Sequence, residues 1–189
     1  MRLILIALYC MLGIGTIFAQ KRIPRKVIND TLQVGKFKAY SQNILYVSEG
    51  EPAPQFEVYC ETGEKVTLAD LKGKTVILNF WITTCGPCRK ELKRVKAEII
   101  DRFKEKVVFL AVGAAETERS AIAFRESIGL DFPVYYDPES KTFEKFSNSG
   151  CPRNYIIDKD GIVRYIEMGY NDEKFADLIR KTSEVVAEN

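Results

Sequence analysis

Two cysteines, Cys85 and Cys88, stand two residues apart in the stretch NFWITTCGPCRKEL, between an apolar run and a charged segment of helical pattern. Such a pair can supply half of a zinc site, staple the chain, or exchange electrons as dithiol and disulfide. Zinc needs a second pair of ligands. The chain has no histidine, so these would have to be Cys60 and Cys151, which share no C-x-x-C spacing. A staple across so small a loop adds little stability. The redox reading is the strongest, and it sets a positional demand: one thiol must ionise readily and the other must reach it. Cys85 falls at the end of an apolar strand and Cys88 in the first turn of the helix behind it, where unpaired N–H groups and the positive dipole end favour a thiolate. That predicts a Cys85 pKa below the free-thiol value of about 8.5. Pro87 suits a first helical turn, where its missing N–H would have no partner anyway. Cys88 can then attack a mixed disulfide on Cys85 and release the partner. Glu91, three residues past Cys88, shares its helix face. If buried there, its carboxylate can accept a thiol proton; on the outer face of RKELKR it is an ordinary solvated glutamate.

The elements that must position these groups are legible from hydrophobic period. KTVILNFWI is a continuous apolar run, the pattern of a strand buried on both faces. Behind it, Leu92, Val95, Ile99 and Phe103 recur at helical spacing. QFEVYCETGEKVTL alternates, with Phe56, Val58 and Cys60 on one face and a turn at Thr62-Gly63. VVFLAVGA reads as a second buried strand, ETERSAIAFRESIG as a helix capped by Gly129, FPVYYD as a short strand and PESKTFEKF as a short helix. RNYIIDKDGIVRYIEMG reads as a hairpin around Asp160-Gly161, whose acidic pair is a turn rather than a calcium loop, and NDEKFADLIRKTSEVV as a closing helix. Strands alternating with helices, and a late antiparallel hairpin, predict a mixed α/β sheet flanked by helices.

The 189 residues are 46% hydrophobic and 29% charged, as in one ordinary globular domain. A net charge of +2 gives no electrostatic case for a nucleic-acid partner. The absence of histidine removes Ser-His-Asp and Cys-His catalysis and histidine-ligated metal sites. The start, MRLILIALYCMLGIGTIFAQ, has one basic residue, an apolar run from Leu3 to Phe18 and a small residue at Ala19, the pattern of a signal peptide over residues 1–19. Two alternatives stand beside cleavage. Cys10 could carry a lipid, against which Tyr9 is bulky for the preceding position. The segment could also remain as an anchor, with Lys21, Arg22, Arg25 and Lys26 behind it. Residues 20–49 read as an N-terminal extension with one or two strands, and residues 50–189 as the main domain, entered at EPAPQF. Four cysteines then remain, too few for a disulfide scaffold in a domain able to bury its own core.

NFWITTCGPCRKEL resembles the active site of thioredoxin-fold proteins, particularly the exported TlpA/ResA-like thiol–disulfide oxidoreductases. The likeness extends from PAPQFEVYCETGEKVTLADLKGK before the pair to GCPRNYIIDKDGIVRYIEMG after it. It implies a thioredoxin-like fold with an N-terminal strand extension, Cys85 as attacking thiol and Cys88 as resolving thiol. Gly86 and Pro87 would be the thioredoxin dipeptide between them. Pro152 would be a cis-proline shaping a groove for an extended partner strand, with Cys151 beside it, and Glu91 would tune thiol acidity. No cofactor or resident metal is implied. The partners implied are proteins bearing thiols or disulfides, together with a membrane electron donor, in a periplasmic or other extracytoplasmic compartment. Reductase is the favoured direction, and apocytochrome thiols are one substrate class.

The chain also departs from the thioredoxin pattern. Asn79 stands where thioredoxins place an aspartate, Thr84 where a tryptophan is usual, and Lys93 where a helix-kinking proline is usual. Cys151 is a third sulfur near the pair; it could tune it, form another disulfide, ligate a soft metal or merely fill space. Cys60 reads as a small buried hydrophobe, with a Cys60–Cys151 disulfide left open. Ile82 stands where a peroxiredoxin carries threonine or serine, three residues before the reactive cysteine, which argues against that activity. The contrasting non-enzymatic reading is a module holding copper or an iron–sulfur cluster on Cys85, Cys88 and Cys151.

Overall fold

A computed structural model describes residues 45–188. The expected signal peptide, and residues 20–44 of the expected extension with its strands, lie outside the described residues. Among the described residues no helix is long and apolar enough to cross a membrane.

Seven strands form one mixed sheet: β1 (Glu57–Cys60), β2 (Lys65–Thr67), β3 (Thr75–Trp81), β4 (Val107–Ala114), β5 (Val134–Asp137), β6 (Arg153–Ile157) and β7 (Val163–Met168), in the order β2-β1-β5-β4-β3-β6-β7. The helices are α1 (Gly86–Val95), α2 (Glu118–Ile128), α3 (Phe143–Phe146) and α4 (Asp172–Glu188), beside single turns at Ala69–Leu71, Asp101–Phe103 and Lys104–Lys106. β3 pairs parallel with β4 and β4 with β5, and the other four pairings are antiparallel. The mixed α/β sheet read from the sequence is the one observed.

β3 is buried at all seven positions, and its alternation divides the core. Val76, Leu78 and Phe80 face one side, with Phe56, Val58, Phe146 and Tyr155. Ile77 and Trp81 face the other, against Leu92, Val95 and Ile99 of the α1 segment, Phe124 of α2 and Phe175 and Leu178 of α4. Asn79 belongs by period to this second face, so a polar side chain stands in the middle of a helix-covered layer. Past Val95 the α1 helix runs through a five-residue π-helical segment, Lys96–Ile100. With Lys93 in place of a proline, this segment and no proline kink interrupts the regular helix.

Segment ends follow local chemistry. Thr117 and Ser120 form a reciprocal capping box on α2, Thr117 N–H donating to Ser120 Oγ at 2.8 Å. Gly129 closes the helix at φ +69°, in the left-handed region that glycine adopts without a Cβ penalty. Thr117→Ala is expected to lower stability by about 1 kcal/mol in denaturant melts without changing the fold. Asp158 holds the β6–β7 turn by accepting from the N–H groups of Asp160 and Ile162. Residues ahead of β1 are already packed on the body, with Val47 and Ala53 buried and Gly50 N–H donating to the Val163 carbonyl.

Candidate active site

β3 delivers the chain to the site. After Trp81 the backbone turns, Cys85 N–H donating to the Ile82 carbonyl at 3.1 Å, and α1 begins at Gly86. Cys85 is the N-cap of α1, and its Sγ accepts from the N–H of Cys88 at 3.1 Å. The two cysteines form a disulfide with Cα atoms 5.3 Å apart. Their environments differ. Cys85 retains 8% of its surface, whereas Cys88 retains none, sealed beneath the first helical turn. Gly86 and Pro87 are exposed between them, and a Cβ on Gly86 would meet nothing within 4 Å.

The β3–β6 ladder brings the second stretch to the pair. Phe80 stands opposite Arg153, so the antiparallel register sets Cys151 and Pro152 beside the end of β3. The Cys151–Pro152 peptide is cis, and Pro152 is buried. Arg153, itself buried, reaches back to the loop ahead of it and donates to the carbonyls of Ser149 at 2.7 Å and Gly150 at 3.4 Å.

Under the pair lies a polar triad that the sequence discloses only in part. Glu91 is 2% exposed. Asn79 Nδ2 donates to its Oε2 at 3.1 Å, Asn154 Nδ2 to its Oε1 at 2.6 Å, and Asn79 Nδ2 also to Asn154 Oδ1 at 2.8 Å. Asn79 and Asn154 are direct register partners on β3 and β6. Burial pushes the Glu91 carboxyl up to about 7, against the opposing pull of the two amide donors. Asn154 escaped the sequence reading. The signal for it is a lone polar residue in the apolar run RNYII, a run that must pair with the one containing Asn79.

The remaining cysteines separate. Cys60 and Cys151 are both free thiols. β5, β4 and β3 lie between β1 and β6, so four strand spacings, about 19 Å, divide their strands. A disulfide needs Cα atoms within about 7 Å, and the Cys60–Cys151 bond left open by the sequence does not form. Cys60 is buried as expected. Cys151 packs beside the cluster that contains Cys85 and Cys88. Burial pushes its thiol up to about 12, with Arg153 pulling down and Glu91 pushing up. A protonated thiol is a poor nucleophile, so Cys151 does not compete with Cys85 for a substrate disulfide.

The sequence model of the AhpC/TSA family matches residues 49–166. The thiol–disulfide oxidoreductase ResA of Bacillus cereus is 43% identical over 115 residues, 60% of this chain and 66% of that protein. The thioredoxin-like protein YneN of Bacillus subtilis (strain 168) is 32% identical over 141 residues, 73% of this chain and 82% of that protein. The chain is a ResA-like thiol–disulfide oxidoreductase of the AhpC/TSA family. The oxidoreductase also shares its fold with a candidate protein disulfide isomerase from Bacteroides thetaiotaomicron, whose solution structure superposes with a TM-score of 0.73 at 31% identity, covering 77% of this chain and 94% of that one. The thioredoxin-like architecture expected from the sequence is thereby established. Within this oxidoreductase the geometry offers one cysteine at a helix N-terminus that keeps a little surface, one sealed cysteine behind it, and a buried carboxyl poised to hold or lose a proton near neutrality.

Proposed function

We propose that this oxidoreductase is exported and reduces disulfides of other proteins, Cys85 attacking and Cys88 resolving. The observation that carries the assignment is the asymmetry of the pair: only Cys85 has surface left for a partner, and its sulfur sits at the helix N-terminus. In the reduced protein the Cys85 thiolate attacks one sulfur of a substrate disulfide. A Cys85–substrate bond forms, the substrate S–S bond breaks, and the other substrate sulfur leaves as a thiolate. Cys88 then loses its proton, attacks Cys85 Sγ and releases the second substrate sulfur. Two electrons have passed to the substrate, and the Cys85–Cys88 disulfide of this structure is the product state.

Glu91 is the proposed acceptor of the Cys88 proton. It lies on the same buried helix face three residues on, and its affinity for a proton is matched to neutral pH. Asn79 and Asn154 hold its two oxygens in place. Pro152 and the backbone of Cys151 are the proposed docking ledge for an extended partner strand. Gly86 leaves room beside the pair, since a Cβ there would meet nothing within 4 Å among the described residues. A membrane-bound dithiol carrier is the proposed source of the two electrons that restore the dithiol, and the segment 1–19 the proposed export signal.

The direction of transfer is tested by the reduction potential of the purified protein in glutathione or dithiothreitol buffers, with alkylated thiols mapped by mass spectrometry. A two-electron Cys85–Cys88 couple near thioredoxin's value of about −270 mV supports the reductase. A value near about −120 mV makes the protein an oxidant instead. A disulfide mapped between Cys85 and Cys151 would sink the proposed resolving role of Cys88.

A further inference from the structure

The loop that presents Cys85 is gripped from two sides, by Glu116 beyond β4 and by Arg89 of α1 itself. Glu116 is a buried carboxylate that forms no ion pair among the described residues, and its Oε1 accepts the N–H of Thr83 at 2.7 Å. Arg89 takes the other side of the same residue, its Nη2 donating to the Thr83 carbonyl at 3.1 Å. Arg89 is anchored in turn. Its Nη1 donates to Ser127 Oγ at 3.1 Å, and its guanidinium lies 4.9 Å from the centre of the Phe124 ring. Phe124 stacks on Trp81 with centroids 3.9 Å apart. Glu116, beyond the end of β4, and Arg89 of α1, anchored on α2, therefore fix the two peptide units that flank Thr83, two residues ahead of Cys85.

The backbone of β4 is shaped for this contact. A Cβ on Gly113 would stand 2.7 Å from Glu116 Cβ and 3.0 Å from the Trp81 ring, so only glycine admits the glutamate stem. Ala115 sits at φ +59°, a left-handed conformation that disfavours any residue with a Cβ. Both features bend the chain so that Glu116 points at Thr83 instead of following the strand. Among the described residues, the hydrogen bond of the Glu116 side chain goes to the backbone of the loop that carries Cys85 and to no other element.

We propose that Glu116 and Arg89 are positioning residues that clamp Thr83 and so hold Cys85 Sγ at the N-cap of α1. This rests on the assignment of Cys85 as attacking thiol. Release of either side lets the turn from Ile82 to Thr84 relax, and the sulfur loses its fixed place against the Cys88 N–H.

Charge and position make opposite predictions, which is what the test uses. Removing a nearby negative charge favours a thiolate, so a purely electrostatic Glu116 makes both Glu116→Gln and Glu116→Ala react faster than the parent. A clamp makes Glu116→Ala slower and spares Glu116→Gln, whose amide oxygen still accepts. The experiment is alkylation of the reduced full-length protein by iodoacetamide from pH 5 to 9, with the modified cysteine mapped and unfolding followed in parallel. At pH 7, Cys85 is expected to react about tenfold slower in Glu116→Ala, with a raised apparent pKa, and within about twofold of the parent in Glu116→Gln. Arg89→Ala, on the solvent side of the clamp, is expected to react about threefold slower. If Glu116→Ala does not fold, Arg89→Lys decides, because it keeps the positive charge but loses the fork that spans the Thr83 carbonyl and Ser127 Oγ, and a clamp makes it slower where charge alone leaves it unchanged. An unchanged rate in a folded variant lacking either grip, or faster reaction in both Glu116 variants, overturns the clamp. Alkylation of the parent at Cys88 ahead of Cys85 overturns the underlying assignment instead, and it is seen before any variant is made.

Discussion

Cys85→Ser is expected to lower disulfide exchange with a protein substrate by at least about a thousandfold, as loss of a nucleophile does in other enzymes. Cys88→Ser is expected to behave differently. Its Cys85 remains at the helix N-terminus, so the first attack proceeds, but nothing resolves the product. A covalent Cys85–substrate adduct should accumulate, visible on non-reducing gels and dissolved by dithiothreitol. The reason lies in the burial of the pair. A substrate disulfide can approach the cysteine that keeps some surface, whereas Cys88 has none and reaches only the sulfur of Cys85. Adduct accumulation in Cys85→Ser and not in Cys88→Ser would reverse the two roles. Proteins captured on Cys88→Ser from cell envelope extracts, identified by their linked peptide, would then name substrates.

The pair and its strand–helix setting were legible because each depends on short-range pattern. An apolar run followed by C-x-x-C with Pro87 places one cysteine at a helix start whatever surrounds it. The sheet, too, could be read, since β3 and β4 are continuous apolar runs and β6–β7 has its turn written at Asp160-Gly161. What escaped depends on register and on side chains meeting across elements. Asn154 matters because it pairs with Asn79, and strand pairing is set by tertiary packing. The expected burial of Glu91 could be read only as one of two options, because RKELKR is charged on all sides and only the covering layer decides which face is inside. Glu116 left no local mark of its own. Its one trace is Gly113, an isolated glycine inside a strand, which signals a close approach without naming the visitor.

Glu91→Gln should change both the pH dependence of stability and the rate of exchange. In the oxidised protein the folded state holds the Glu91 proton up to about pH 7, whereas the ordinary carboxyl value is 4.5. Below the lower value both states are protonated and Glu91 contributes nothing to the difference. Between the two values the folded protein keeps a proton that the unfolded chain has lost, so stability falls as pH rises through this window. Above about pH 7 the full penalty for a buried charge is present, about 3 kcal/mol for a shift of this size. Glutamine carries no such charge, so the variant should lack that slope and be the more stable protein at pH 8. The gain is smaller than the full penalty, because the glutamine amide can accept from only one of the two asparagines. The other faces a donor, unless Asn79 turns its unpartnered Oδ1 inward and gives up its bond to Asn154, a loss of about 1 kcal/mol. A net stabilisation of about 2 kcal/mol at pH 8, turning into a net destabilisation of about 1 kcal/mol at pH 4 where only the lost hydrogen bond remains, is the expected result of denaturant titrations on the disulfide form. Exchange should move the opposite way. Without a carboxylate to take the Cys88 proton, resolution of the mixed disulfide should slow by about a hundredfold at pH 7, within the range for loss of a general base. A variant more stable yet slower, with its rate limb near pH 7 gone, would tie the buried carboxyl to proton transfer. Equal rates with altered stability would leave Glu91 a structural residue and hand the proton to solvent.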